Sequence, residues 1–315
     1  MKNSKLKIFA GRSNPELAKK IAENIGRPLG EISIKTFADG EIWVKFEENI
    51  RGRDVYLIQS TNSPAENIIE LALMIDAAVR ASAERVTVVI PYFGYSRQDR
   101  KDKPRVPISA RVMVDIFSVM GAGRIISMDL HSTQIQGFAK VPFDALYSRL
   151  VLLEEIKAIG LDPEKTVVLS PDVGSAAMSQ AYAKRLSMNF ALIEKRRIGH
   201  NRSKAVHLIG ELKNQHVLII DDIIDTAGTA INAAEKAMEN GALSVGMVGT
   251  HALLSGDAVE RLKKSPISRF IFTDTVIIPK EKLLPNTTII SVGKIFAEAI
   301  SRIHSGKSVS ELFKF

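Results

Sequence analysis

Residues 221–229, "DDIIDTAGT", place three acids within five positions and follow them with two threonines and a glycine. The apolar run "HVLII" precedes them and reads as a buried strand that ends on Asp221 and Asp222. Thr226, Ala227, Gly228 and Thr229 fall where the helical pattern "AINAAEKAMEN" begins. Free backbone N–H groups and the helix dipole favour an anion there. Gly228 admits close backbone approach and the two hydroxyls add donors, so the stretch reads as a cradle for one phosphate. Asp221 and Asp222 would repel a phosphate. They suit the hydroxyls of a sugar, or a Mg²⁺ ion bridging to another ligand. The pattern points to a phosphorylated sugar, with its phosphate on Asp225 to Thr229 and its hydroxyls or a metal at Asp221 and Asp222; the plainer alternative is a helix N-cap with solvated acids.

The elements that must position this loop alternate along the chain. Short β-branched runs such as "KLKIFAG", "DVYLIQS", "RVTVVIPYF", "RIISMDL", "TVVLSPD", "HVLIIDD", "SVGMVGTHA", "RFIFTDT" and "TTIISVG" are separated by helical patterns. Strand–helix alternation predicts an α/β protein, with mainly parallel sheets flanked by helices. Asn14 before Pro15 is a helix start, and Gly26 and Gly241 are stops. The segment from Arg53 to Phe93 lies over the segment from Gln215 to Leu254, and "KIFAGRSNPELAKKIA" over "VVLSPDVGSAAMSQAYA". A duplicated domain explains this. The copies diverge at one loop: Gln59-Ser60-Thr61-Asn62 stands where the second half has Asp221 to Asp225.

Bulk properties narrow the chemistry. The 315 residues suit two domains at roughly 150 residues each. The net charge of +8 is dispersed, which favours small polyanionic substrates over a nucleic-acid surface. With no cysteine, disulfides, zinc–thiolate sites and thiol nucleophiles are excluded. The first residues lack a signal-peptide core and no run is long enough to span a bilayer, so a cytoplasmic location is expected.

Residues 221–229 resemble the phosphoribosyl-pyrophosphate loop of type I phosphoribosyltransferases. That leaves an enzyme that consumes phosphoribosyl pyrophosphate, or the one that makes it. The first half adds "FADGE" (37–41), "YSRQDRK" (95–101) and "DLHSTQIQGF" (129–138). Together these resemble the ribose-phosphate diphosphokinase family from about Lys7 to Ser305. The resemblance implies two tandem phosphoribosyltransferase-like domains, 1–147 and 148–315, with part of 294–305 packing back on the first. It implies transfer of the β,γ-diphosphoryl group of MgATP to ribose 5-phosphate, giving 5-phosphoribosyl 1-pyrophosphate and AMP.

Each motif has its own chemistry beside this. Phe37 could stack on a base or pack in the core. Asp39 and Glu41, around Gly40, can accept from an exocyclic amine, which would favour adenine. Arg97 can face a ring or clamp phosphate, with Gln98 and Asp99 completing an ATP loop. A lone His131 is more often a structural donor, and Asp172 could be a helix N-cap. By resemblance both are metal ligands. Lys195 and Arg197 in "EKRR" would ordinarily be solvated charge; by resemblance they belong to a flexible catalytic lid that neutralises the transferring group.

Ala139, the stretch "TNSPAEN" (61–67) and the lid after Arg197 depart from the family's usual wording. The family also implies a homohexamer built from dimers, with phosphate and ADP as effectors near 47–53 and 80–86. Three competing readings stay in view: a phosphoribosyltransferase, which leaves the first-half motifs idle; a non-catalytic relative, which would lack the lid cations or acid pair; and a nucleic-acid module, which would need a basic stripe.

Overall fold

The computed structural model describes residues 5–197 and 204–313. The chain divides into two compact units, Met1–Ser148 with Thr275–Ile277 and Ser291–Phe315, and Arg149–Asp274 with Ile278–Ile290.

The first unit contains β1 (Leu6–Ala10), α1 (Pro15–Ile25), β2 (Ile32–Thr36), β3 (Ile42–Phe46), β4 (Asp54–Ile58), α2 (Glu66–Arg80), β5 (Arg85–Ile90), α3 (Ser109–Met120), β6 (Arg124–Met128) and β7 (Phe143–Leu146). Its parallel sheet has the order β1-β4-β5-β6-β7. All five residues of β4 are buried, as expected of a central strand covered on both faces. Val55, Leu57, Val86, Val88 and Ile90 pack against Leu71, Met74 and Ile75 of α2 and Val114 and Phe117 of α3. α1 begins as the sequence predicts: the Asn14 side chain accepts from Leu17 N at 3.2 Å, and Gly26 closes the helix at φ 73°. The antiparallel pair β2–β3 stands apart from the main sheet and lies against α2.

The second unit contains α4 (Arg149–Ala158), β8 (Thr166–Ser170), α5 (Ala176–Leu186), β9 (Asn189–Arg197), β10 (Lys204–Ile209), β11 (His216–Ile224), α6 (Gly228–Glu239), β12 (Ser244–Ala252), α7 (Ala258–Lys264), β13 (Ile267–Thr273) and β14 (Thr287–Ile290). The sheet runs β10-β9-β8-β11-β12-β13-β14, parallel except for β10. The period of two sorts its core. Val167, Leu169, Val217 and Ile219 join α6 and α7, while Val168, Leu218 and Ile220 join Leu152 and Ile156 of α4 and Tyr182 of α5. Within this sheet β8-β11-β12-β13-β14 repeats the order of the first unit, strand for strand. No helix among the described residues is long and apolar enough to cross a membrane.

The last helix, α8 (Gly293–Ser305), belongs to the first unit and packs on α1. A polar network far along the chain secures it. Arg85 donates from Nε to Asp54 Oδ1 at 2.7 Å and from Nη2 to Oδ2 at 2.5 Å, and His304 Nδ1 lies 2.6 Å from the same Oδ2. The Tyr56 hydroxyl donates to Asp54 at 3.4 Å. Burial and the adjacent carboxylate push that phenol well above its ordinary value, so it stays neutral. Asp54→Asn removes the anion and leaves Arg85 facing a neutral amide. The expected loss is about 2 kcal/mol in urea unfolding, below that for a fully buried pair because Arg85 is partly exposed. An unchanged midpoint would show that α8 is held by apolar packing alone.

Candidate active site

Parallel strands deliver their following loops to one edge of a sheet, and in the second unit β8 and β11 are neighbours. The loop after β8 carries Asp172 and Ser175; β11 carries Asp221 and Asp222. The Ser175 hydroxyl donates to Asp221 Oδ1 at 2.7 Å, and Asp222 N donates to the same oxygen at 3.1 Å. Ser175 N donates to Asp172 Oδ1 at 3.1 Å, while Ser170 Oγ holds the Asp172 carbonyl at 2.7 Å. Asp172 thus acts as the local turn cap that its sequence allowed, yet its Oδ2 has no hydrogen-bond partner among the described residues. Burial, then the charge of Asp222 and more weakly of Asp172, pushes the Asp221 carboxyl up to about 7; the Ser175 bond works against them.

β11 does not stop at the two acids. It continues through Ile224, with Asp221 opposite Gly249, Ile223 opposite His251 and Ile224 opposite Ala252 on β12. The acids therefore sit inside a paired strand, on rigid backbone. The chain then turns through Asp225 and Thr226 to Ala227, which is buried in the left-handed region at φ 59°, and α6 starts at Gly228. Ser255 N donates to the Asp225 carbonyl at 3.0 Å, and Ile231 N to that of Ala227 at 2.9 Å. The N–H groups of Ala227, Gly228 and Thr229 meet no acceptor among the described residues. A Cβ at Gly228 would meet only the Arg261 guanidinium, at 3.4 and 3.8 Å, and the Thr226 hydroxyl at 4.0 Å. These are ordinary van der Waals distances, so packing within the protein does not by itself require glycine there.

The corresponding place in the first unit is filled. Gln59, which matches Asp221 in strand register, is fully buried. Its Oε1 accepts from Ser13 N and Oγ at 3.0 and 2.6 Å, and its Nε2 donates to Glu70 at 2.9 Å. Glu70 also receives Arg12 N and Nε, both at 2.6 Å. Gly11 is required here, since a Cβ would fall 2.3 Å from Gln59 Oε1.

The first-half motifs lie at two places. Phe37, Asp39, Gly40 and Glu41 form the exposed turn joining β2 to β3, closed by Phe37 N to the Glu41 carbonyl at 2.8 Å. Phe37 is 53% exposed, which removes the core-packing reading. Asp39 Oδ1 caps Glu41 N at 3.1 Å, so part of that carboxylate serves its own turn. Arg97, Gln98 and Asp99 follow β5, and His131 follows the adjacent β6, so these loops leave the same edge of the sheet. Gln98 is a tether as well: its carbonyl accepts Ala110 N at 3.1 Å and its Oε1 accepts the Ser109 hydroxyl, fixing the loop to the start of α3. Lys195 and Arg197 lie on β9 opposite Val206 and Lys204 of β10. Their side chains, and residues 198–203 of the expected lid, lie outside the described residues.

No group of three or more acids or histidines able to hold a metal occurs among the described residues. The charge around Asp221 and the open Oδ2 of Asp172 still suit a divalent cation that takes most of its ligands from substrate and water. Sequence reasoning missed Ser175 and Arg261. Arg261 Nη1 donates to the Thr226 carbonyl at 3.1 Å, from 35 residues away.

The fold and this loop define two tandem phosphoribosyltransferase-like domains. Residues 6–121 match the N-terminal domain of ribose phosphate pyrophosphokinase, and residues 197–314 a phosphoribosyl synthetase-associated domain. A ribose-phosphate pyrophosphokinase from Chlorobaculum tepidum is 47% identical over 308 residues, covering 98% of this chain and 95% of the relative. One from Caldanaerobacter subterraneus is 46% identical over 311 residues, covering 98% of each. The crystal structure of phosphoribosylpyrophosphate synthetase from Mycobacterium smegmatis superposes with a TM-score of 0.90 at 36% identity, covering 96% of this chain and 99% of that one. The chain belongs to the ribose-phosphate pyrophosphokinase family.

The raised Asp221 carboxyl has a consequence for stability. Between about pH 4 and 7 the folded chain holds a proton that the unfolded chain releases, so stability falls as pH rises through that window and the cost is complete above 7. In chelator-treated buffer, Asp221→Asn should raise the melting temperature at pH 8, leave it unchanged at pH 4, and flatten the profile between. Equal effects at both pH values would contradict this.

Proposed function

We propose that the protein transfers the β,γ-diphosphoryl group of ATP to the anomeric hydroxyl of ribose 5-phosphate, yielding 5-phosphoribosyl 1-pyrophosphate and AMP. The observation that carries the reading is a row of amides at 227–229, without acceptors among the described residues, on the turn that follows an acid pair which the duplicate unit lacks. The amides and the Thr226 and Thr229 hydroxyls receive the 5-phosphate. Asp221 and Asp222 accept from the ribose hydroxyls and fix the sugar. The anomeric oxygen forms a bond to the β-phosphorus while the bond from that phosphorus to the α,β-bridging oxygen breaks, and AMP leaves. Lys195 and Arg197 neutralise the transferring group, and orientation of the two substrates supplies most of the rate.

Phe37, Asp39, Gly40, Glu41, Arg97, Gln98 and Asp99 are the ATP-recognition set. By the family resemblance, His131 and Asp172 are each candidate Mg²⁺ ligands, and a bound ion would offset phosphate charge and sharpen the electrophilicity of the β-phosphorus. We further propose a cytoplasmic homo-oligomer, a hexamer by family expectation, with phosphate and ADP as effectors.

Incubation with ATP, Mg²⁺ and ribose 5-phosphate, followed by anion exchange, should give AMP and phosphoribosyl pyrophosphate in equal amounts. Lys195→Ala should lower kcat by about 100-fold or more, the scale of losing one group that stabilises transition-state charge. ADP in place of AMP would mean γ-phosphoryl transfer and would sink the reading. Gly228→Ala separates binding from folding. It should leave stability equal or raise it by about 0.5–1 kcal/mol, while raising KM for ribose 5-phosphate; an unchanged KM would remove Gly228 from the cradle.

A further inference from the structure

The turn at 225–229 carries a cost that something must offset. Ala227 adopts a left-handed conformation, which disfavours an L-residue by about 1–2 kcal/mol and survives only where neighbours hold it. Two contacts from beyond the turn hold it. Ser255 N donates to the Asp225 carbonyl at 3.0 Å, and Arg261 Nη1, on α7, donates to the Thr226 carbonyl at 3.1 Å. The second contact acts on the peptide that matters. The bond between Thr226 and Ala227 is trans, the cis bond of the described chain being Ser63–Pro64. In a trans peptide the C=O and N–H point to opposite sides. Holding the Thr226 oxygen toward α7 therefore turns the Ala227 N–H the other way, and that N–H has no acceptor among the described residues.

We infer that Arg261 is a positioning residue for the sugar-phosphate cradle, setting the Thr226–Ala227 peptide plane so that the Ala227 N–H faces the incoming phosphate. The inference rests on the proposed function in taking ribose 5-phosphate as the ligand. The guanidinium also polarises the peptide it holds, which strengthens that N–H as a donor to an anion. Among the described residues Arg261 pairs with one acid, Asp257 just before its own helix, at 4.0 Å, so that pairing neutralises its charge only loosely. Its guanidinium lies beside Gly228, which keeps that charge next to the start of α6.

The test compares wild type, Arg261→Ala, Arg261→Gln and Arg261→Lys, all as full-length protein. Calorimetric titration with ribose 5-phosphate reads binding, and the product assay reads KM for each substrate and kcat. The expected result is a Kd and KM for ribose 5-phosphate raised by about tenfold or more in Arg261→Ala, as for a lost charge-assisted hydrogen bond, with KM for ATP within about twofold. Arg261→Lys, which keeps a charged donor, should recover part of the affinity. Arg261→Gln, which keeps the side chain's bulk near the turn, serves if the alanine variant does not fold.

A wild type that binds ribose 5-phosphate but makes no phosphoribosyl pyrophosphate would fail the proposed reaction and leave this inference to be decided by the Kd values. Unchanged ribose 5-phosphate affinity in the folded variants would overturn the inference while leaving the reaction intact. An equal rise in both KM values with a lowered melting temperature would also overturn it, because Arg261 would then be a general structural contact.

Discussion

The 2.7 Å hydrogen bond from the Ser175 hydroxyl to Asp221 joins the loops after β8 and β11, and the acidic site depends on it. Three carboxylates near one another repel, and a strand end would let them swing apart into water. Here that is prevented twice. Asp221 and Asp222 are inside a strand still paired to β12, and Ser175 ties Asp221 to the loop that carries Asp172. Burial first, and then the neighbouring charges, push the Asp221 carboxyl up to about 7, and a ligand that donates hydrogen bonds or brings a cation would relieve this. The same rigid backbone then delivers the turn at 225–229, whose amides face the opposite requirement, an anion. A strip of chain nine residues long thus offers acceptors at one end and donors at the other, the polarity of a phosphorylated sugar.

Duplication explains why this happens once. Both units repeat the same strand order, and strand register sets Gln59 against Asp221. In the first unit the amide side chain satisfies itself on Ser13 and Glu70, and Arg12 neutralises the acid. A closed network of this kind has nothing left to offer a ligand and serves stability instead. In the second unit the matching position is an acid, Asp221, held by the Ser175 hydroxyl and the Asp222 amide beside a second carboxylate. The exposed motifs of the first unit are elsewhere, on the β2–β3 turn and on the loops after β5 and β6.

Much of this was legible in the sequence because it is local. Each of the nine β-branched runs became a strand, Asn14 and Gly26 bound α1 as their types require, and the repeat predicted matching sheets. The small hairpin was missed as a pair of strands: "ISIKT" and "IWVKF" form an isolated ribbon of half-buried and exposed residues and lack the continuous apolar run of a central strand. α4 and α7 were missed too, the first having only a weakly one-sided apolar pattern and the second being a short helix of seven residues. The end of β11 was misplaced because aspartate disfavours strands locally, whereas pairing with β12 carries the ladder two residues further, to Ile224. Ser175 and Arg261 gave no signal, since each meets its partner across 46 and 35 residues of intervening chain. Gln98 was legible as a polar loop residue, but its bond to Ser109 was not.

The central claim is that the loop of one duplicate, and not its counterpart, holds the sugar phosphate. A crystal structure of the protein with ribose 5-phosphate tests it most directly. The account predicts the phosphate within hydrogen-bond reach of the Ala227, Gly228 and Thr229 amides, with ribose hydroxyls toward Asp221 and Asp222 and no phosphate at Gln59 to Asn62. A phosphate on the first unit's loop, or a sugar bound with its phosphate away from α6, would contradict it.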